Sequence, residues 1–369
     1  MKRSTTMTNS QVNKEMIILA REFRGLTQSE LSQIANIDQG FLSRIEAGKK
    51  IATDWDLDIL SKVLRFPKSF FMKGGERASV DATSIYHRKK KNPTAALLKH
   101  VYSTLSLHRL SLSTLLQSVD IQQSLIIPDL NIQESGINPE DAANRLRMYW
   151  RIPSGPIPNI LSLLEASSCF VFSANFASGD FDALVQWTDR GDTINHTPPI
   201  ILINSAAPGD RLRFSLAHEL GHLVLHRGVL PYDEMEAEAH DFASAFLMPK
   251  EDFEPELRHI SLEHFVRLKP YWKVSIQAMI MRAYKLGVIT KRKQQTLFQG
   301  LSAYGWRIKE PVEIEKERPI LTTDLIEYHR NELGYNNIKE LGQLLSLEEE
   351  DIKELYLPPT ENTLRIVKR

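Results

Sequence analysis

Apolar residues recur at helical spacing from the start of the chain. They run Met16, Ile17, Leu19, Ala20 and Phe23, then Leu31, Ile34 and Ala35, then Phe41, Leu42 and Ile45. Thr27 and Asp38 stand where N-caps open new helices, and Gly48 is placed to close one. Residues 11–72 therefore read as a compact helical unit, ending in a short helix from about Asp54 to Leu64 before Pro67. Gly74, Gly75, Glu76 and Arg77 mark a boundary, and a long helix is predicted over about Thr94 to Ser118, inside a helical linker region of 73–127. One helix near Glu140 to Trp150 lies within a Pro-, Gly- and Asn-rich stretch.

Three strand-like runs follow: Cys169–Phe172, Ala183–Trp187 and Ile200–Ile203, separated by Ser178-Gly179-Asp180 and Arg190-Gly191-Asp192. This spacing predicts a small antiparallel meander. Helices then continue to about Leu286, and the tail from Tyr304 is mixed and acidic. The pattern gives a mainly α fold with a small β-sheet, of the α+β class. Its expected parts are 11–72, 73–127, 128–300 and a C-terminal extension over 301–369.

The helix predicted from Asp210 through Leu212, Leu216, Leu220, Leu223 and Val224 to Gly228 carries the clearest chemistry, His218-Glu219-Leu220-Gly221-His222. Residues four apart lie one turn above each other, about 6 Å between side-chain origins, so both imidazoles can reach one zinc ion at about 2 Å. Glu219 follows the first ligand directly and can act as general base for the attacking water. A catalytic zinc usually takes a third protein ligand. Leu225 and Gly228 stand where a metzincin would need Gly and His, which excludes that class. His226 lies another turn along and is read as structural. The next helix, predicted over Asp233–Leu247, has an apolar stripe of Met235, Ala239, Phe242 and Phe246. Glu238 lies about 70° from the centre of that stripe, closer than its other acids. It is the expected third ligand, with Glu236 as the fallback.

In the N-terminal unit, Thr27 to Leu31 opens one helix and Asp38 to Glu46 forms another across a short turn at Asn36-Ile37. This is the logic of a helix-turn-helix, whose second helix offers its N-terminal residues to the major groove of double-stranded DNA. Residues 1–100 hold 18 Lys+Arg against 10 Asp+Glu, and the remainder 28 against 36, so a neutral chain is split into a basic head and an acidic body. The asymmetry agrees with a polyanion-binding module ahead of a separate catalytic or sensory domain.

Two resemblances follow from these residues. Leu216 to His222, with Glu236-Ala237-Glu238-Ala239-His240-Asp241-Phe242-Ala243 and Phe246-Leu247-Met248-Pro249, resembles the ImmA/IrrE family of zinc metallopeptidases. Arg147–Trp150, Gly155–Ile157, Leu163–Glu165, Trp272–Ser275, Arg282-Ala283, Gly305–Arg307 and Glu310-Pro311 extend the likeness over about 85–311. It implies an HExxH peptidase domain over 128–300, a Zn2+ cofactor, Glu238 as a ligand and a regulator protein as substrate, either a partner repressor or the chain itself. Thr27-Gln28-Ser29-Glu30-Leu31 with Leu42-Ser43-Arg44-Ile45-Glu46-Ala47-Gly48 resembles XRE/Cro-like repressor domains. That likeness implies that Gln28, Gln39, Gly40 and Ser43 face an operator, with Arg44 beside them. Gly40 departs from it by having no side chain to read a base.

No apolar run reaches the roughly 20 residues of a membrane helix, no apolar stretch follows the basic start, and Cys169 is the only cysteine. A cytoplasmic protein with no membrane partner is expected, its metal held by His and carboxylate. Two alternatives differ in class: a non-proteolytic transcription factor whose zinc domain senses a ligand or partner, and the antitoxin or phage-defence half of a pair. The assembly is open between a monomer and a homodimer.

Overall fold

In the computed structural model the described residues are 12–74, 85–87, 94–176, 182–186, 198–227 and 232–357. Trp187 and Gly228, which carried the expected strand end and helix stop, lie outside them. The fold is mainly α with a small sheet. It divides into two compact units, one of Met1–Val80, Pro93–Asp120 and Thr322–Arg369, the other of Asp81–Asn92 and Ile121–Leu321. Where the sequence suggested four consecutive segments, the units are discontinuous. The long helix of the expected linker and the end of the C-terminal extension cluster with the N-terminal helices.

The first unit contains α1 (Lys14–Phe23), α2 (Gln28–Ala35), α3 (Gln39–Glu46), α4 (Asp54–Leu64) and α5 (Ala95–Leu115). Thr27 and Glu30 form a capping box on α2, and Asp38 accepts from the Phe41 amide to start α3. Most of the apolar stripe predicted for α1 to α3 meets in the core, where Met16, Ile17, Leu19, Ala20, Leu31, Leu42 and Ile45 are almost wholly buried, while Ile34 is exposed. Beneath them, Arg21 donates through Nε and Nη2 to both oxygens of Glu46 at 2.7 and 2.9 Å. Gln28 Nε2 adds 2.7 Å to the same carboxylate, so one buried network links α1, α2 and α3. The tail that was mixed in sequence resolves into the helices Leu321–Asn331, Ile338–Leu345 and Glu349–Tyr356.

In the second unit the strands are β1 (Ile85–His87), β2 (Phe170–Ala174), β3 (Ala183–Gln186) and β4 (Ile200–Asn204), in the order β1-β3-β4-β2. β3 pairs antiparallel with β4, and β2 pairs parallel with β4, Phe170 opposite Ile200. The expected meander is thus corrected to a mixed sheet. The physical reason lies in β4, whose five residues are all buried: a strand apolar on both faces belongs in the interior of a sheet, here between β2 and β3.

The helices Ile160–Ala166 and Gly209–Leu225 pack on this sheet, and Met235–Leu247 packs on Gly209–Leu225. Helix Gly209–Leu225 begins one residue before Asp210, after Pro208, so Asp210 is in its first turn and not its cap. The crossing with Met235–Leu247 is tight at Gly221. A Cβ there would stand 3.1 Å from Phe242 Cδ1 and 3.2 Å from the Ala239 backbone. This close approach brings the first turn of Met235–Leu247 alongside the histidines.

Candidate metal centre and DNA-reading helices

His218, Glu219, His222 and His226 are all buried, the last three with essentially no exposed surface. The Nε2 atoms of His218 and His222 stand 3.2 Å apart. Glu236 reaches both, with Oε2 3.3 Å from His218 Nε2 and Oε1 3.4 Å from His222 Nε2. His218, His222 and Glu236 each offer one ligand atom within 4.8 Å of the others, the one group of this kind among the described residues. Two imidazole nitrogens and a carboxylate oxygen match the His2Glu donor set of hydrolytic zinc sites, and the cluster fits the cofactor that the motif predicts.

The geometry differs from the expected third ligand. Glu238 is held away from the two histidines: its Oε2 lies 2.9 Å from His226 Nε2 and accepts from the Tyr232 hydroxyl. Glu236, the fallback, stands in the place expected of Glu238. Nearness to the apolar stripe chose Glu238. The tight crossing at Gly221 turns the flank carrying Glu236 toward the pair, and that crossing is a property of two helices together.

The charges in the cluster follow from burial and contact. Burial pushes the His222 imidazole down to about 3, so it is neutral, as a ligand must be. Burial alone would raise the Glu236 carboxyl, but hydrogen bonds with His218 and His222 hold it well below the usual carboxylate range. His226 is also lowered by burial, with Glu238 opposing. Cys169 is buried, and burial pushes its thiol up to about 12, which disfavours the reactive thiolate. Trp150 and Trp272 are core residues.

Around the metal helix, Arg213 donates to Glu317 and to the carbonyls of Ile157 and Pro158. Lys269 donates to Asp210 at 2.7 Å and to Glu310 at 2.6 Å. Sequence reasoning missed these supporting residues. Glu310-Pro311 was visible as a motif, but its partner Lys269 was not.

In the helix-turn-helix, Gln39, Gly40, Ser43 and Arg44 form an exposed face on α3. Arg44 lies 3.8 Å from Asp38. Gln28 differs from the expectation: it is half-buried, and its amide donates to Glu46. Its first role is to join α2 to α3.

Residues 167–284 match the family description of the IrrE N-terminal-like domain, an M78 peptidase, and residues 17–71 match that of a helix-turn-helix. Comparison with curated proteins gives no match. Among the described residues no helix is long and apolar enough to cross a membrane. The chain therefore carries a segment similar to a helix-turn-helix ahead of one similar to an IrrE N-terminal-like peptidase domain.

Proposed function

We propose that this protein is a zinc-dependent endopeptidase that also binds operator DNA, and that it cleaves a regulator protein, either a partner repressor or its own chain. The observation that carries this reading is the convergence of His218, His222 and Glu236 beside the buried Glu219 of the same helix. His218, His222 and Glu236 would hold the zinc ion. When bound, zinc polarises a peptide carbonyl and makes water a nucleophile near neutral pH.

Glu219 takes the proton from the attacking water and delivers it to the departing amide nitrogen, so the carboxylate is regenerated in each cycle. Burial of Glu219 keeps bulk water from competing for that proton. Gln39, Gly40, Ser43 and Arg44 would meet the major groove, with Arg44 the one fixed cation of the four. Such a regulator would act in the cytoplasm, beside its DNA.

The test is Glu219→Gln in the full chain, assayed with zinc against a quenched-fluorescence peptide library and for cleavage of its own backbone by mass spectrometry. The substitution should abolish cleavage while the zinc content stays at the native level. Cleavage that persists in the variant would remove Glu219 from the mechanism. A native protein that binds zinc and cleaves nothing would favour the sensor reading instead.

A further inference from the structure

His226 stands between the candidate ligand His222 and the carboxylate that does not reach the centre. Its Nδ1 lies 3.0 Å from Nδ1 of His222, and its Nε2 lies 2.9 Å from Glu238 Oε2. The Tyr232 hydroxyl donates to that same oxygen. A neutral imidazole has one N–H and one lone pair, and an ionised carboxylate only accepts. If Glu238 accepts from His226 Nε2, a ring with one N–H leaves its Nδ1 as the acceptor toward His222. Between the two facing Nδ1 atoms the proton then belongs to His222. That leaves the Nε2 lone pair of His222 directed toward His218 Nε2 at 3.2 Å and Glu236 Oε1 at 3.4 Å.

We propose that Glu238 is a positioning residue that acts through His226 to hold His222 in the tautomer able to bind metal, with Tyr232 orienting the Glu238 carboxylate. This rests on the metal centre proposed above. Reversing the chain of hydrogen bonds would place a proton on His222 Nε2, where no metal could bind. Outer partners of this kind commonly change metal affinity 10- to 100-fold on removal.

The test is zinc affinity of the full chain by chelator competition, for the native protein and the Glu236→Gln, Glu238→Gln, Tyr232→Phe and His222→Ala variants. Nitrogen chemical shifts of 15N-histidine-labelled protein supply the tautomer of His222. Glu236→Gln and His222→Ala should lose stoichiometric zinc. Glu238→Gln should keep one zinc with affinity about 10- to 100-fold weaker, and its His222 should lose the single Nδ1–H signature. Tyr232→Phe should weaken zinc in the same direction and less. If the native protein binds no zinc, the centre itself fails. If it binds zinc and Glu238→Gln binds equally tightly, only the positioning role fails. Complete loss in folded Glu238→Gln would make Glu238 a ligand and overturn the proposal.

Near the C-terminus, Ile338–Leu345 and Glu349–Tyr356 repeat the geometry of α2 and α3. Each pair is two eight-residue helices joined by three residues. The first turn residue is left-handed in both, Asn36 at φ 51 and Ser346 at φ 59. The second closes the turn alike, Ile37 N–H to Ser32 O at 3.0 Å and Leu347 N–H to Gly342 O at 2.9 Å. Four buried positions correspond: Leu31 with Leu341, Ser32 with Gly342, Ala35 with Leu345 and Leu42 with Ile352. The exposed positions correspond as well. Gln39, Gly40, Ser43 and Arg44 are matched by Glu349, Glu350, Lys353 and Glu354.

We infer that residues 338–356 form a second helix-turn-helix that does not bind DNA and serves as a clamp on the C-terminal ends of α1 and α4. Three carboxylates where a reading helix meets phosphates would repel the duplex. The clamp is visible in Arg24, which donates to the carbonyls of Leu64 and Arg65 at 2.7 and 2.9 Å and grips both oxygens of Asp351 at 2.8 and 2.6 Å. Lys73 Nζ donates to Leu345 O at 2.7 Å.

Hydrogen exchange on full-length Asp351→Asn should show lost protection in 338–356 and also at the C-terminal ends of α1 and α4. A Glu349→Gln, Glu350→Gln, Glu354→Gln variant should bind random-sequence duplex DNA no more weakly than the native chain, whereas Arg44→Ala should reduce the salt slope by about one. Unchanged exchange in α1 and α4, or weaker DNA binding by the triple variant, would overturn the inference.

Discussion

Lys269 sets the position of the metal helix, and its removal has a calculable cost. It is 2% exposed, with its ammonium on Asp210 in the first turn of Gly209–Leu225 and on Glu310. Lys269→Met keeps the stem volume and removes the charge, leaving two carboxylates buried together. Removing one partner of a buried ion pair costs about 3–5 kcal/mol. Two features offset about 1 kcal/mol of this. Asp210 sits at the positive end of a helix, and Glu310 keeps the Ile276 amide at 2.9 Å. The net loss is therefore about 2–4 kcal/mol. It should appear as lower opening free energies for the 209–225 amides in hydrogen exchange with the full chain. A change below about 1 kcal/mol would mean that the triad does not hold the helix, and that the sheet packing alone sets the centre.

Two further outcomes follow from the same physics. Arg21→Ala strands the Glu46 carboxylate with Gln28 as its remaining partner in this network, so a loss of about 3 kcal/mol is expected in chemical denaturation. The Arg21→Met, Glu46→Leu double variant should recover most of it; equal losses in both would contradict the assignment. His108 is fully buried and burial lowers its imidazole to about 3, against an ordinary value near 6.5. The unfolded chain thus binds a proton that the folded chain refuses between about pH 6.5 and 3. Stability should fall through that window by up to about 1.4 kcal/mol per pH unit from this residue, and His108→Leu should flatten the slope in a pH series of melting temperatures.

Much of the candidate centre was legible because one helix carries three of its residues. The spacing of His218 and His222 and the place of Glu219 are local facts that periodicity reads directly. The third member was not local. Counting angles around Met235–Leu247 ranked Glu238 over Glu236, whereas the Gly221–Ala239 contact decides which flank faces the histidines. His226 was read as structural from its place on the helix axis, yet its bond to Glu238 spans two helices and has no sequence signature.

In the N-terminal unit, the caps at Thr27 and Asp38 and the stripe through Leu31, Leu42 and Ile45 were enough to predict α2 and α3. The bond from Gln28 to Glu46 went unread because nothing local reveals that Glu46 is buried beside it. The C-terminal pair went unread for a related reason. Glu348 replaces the capping Asp of α3, and acids cover the face that marks a DNA reader, so only its apolar positions still carry the pattern.

The most direct test of the whole account is the zinc content of the purified full chain, native and His218→Ala/His222→Ala, after dialysis against a weak chelator. One zinc per native chain and none in the variant are expected, with both proteins folded. A native chain free of zinc, or a variant that keeps it, would contradict the centre on which the peptidase reading stands.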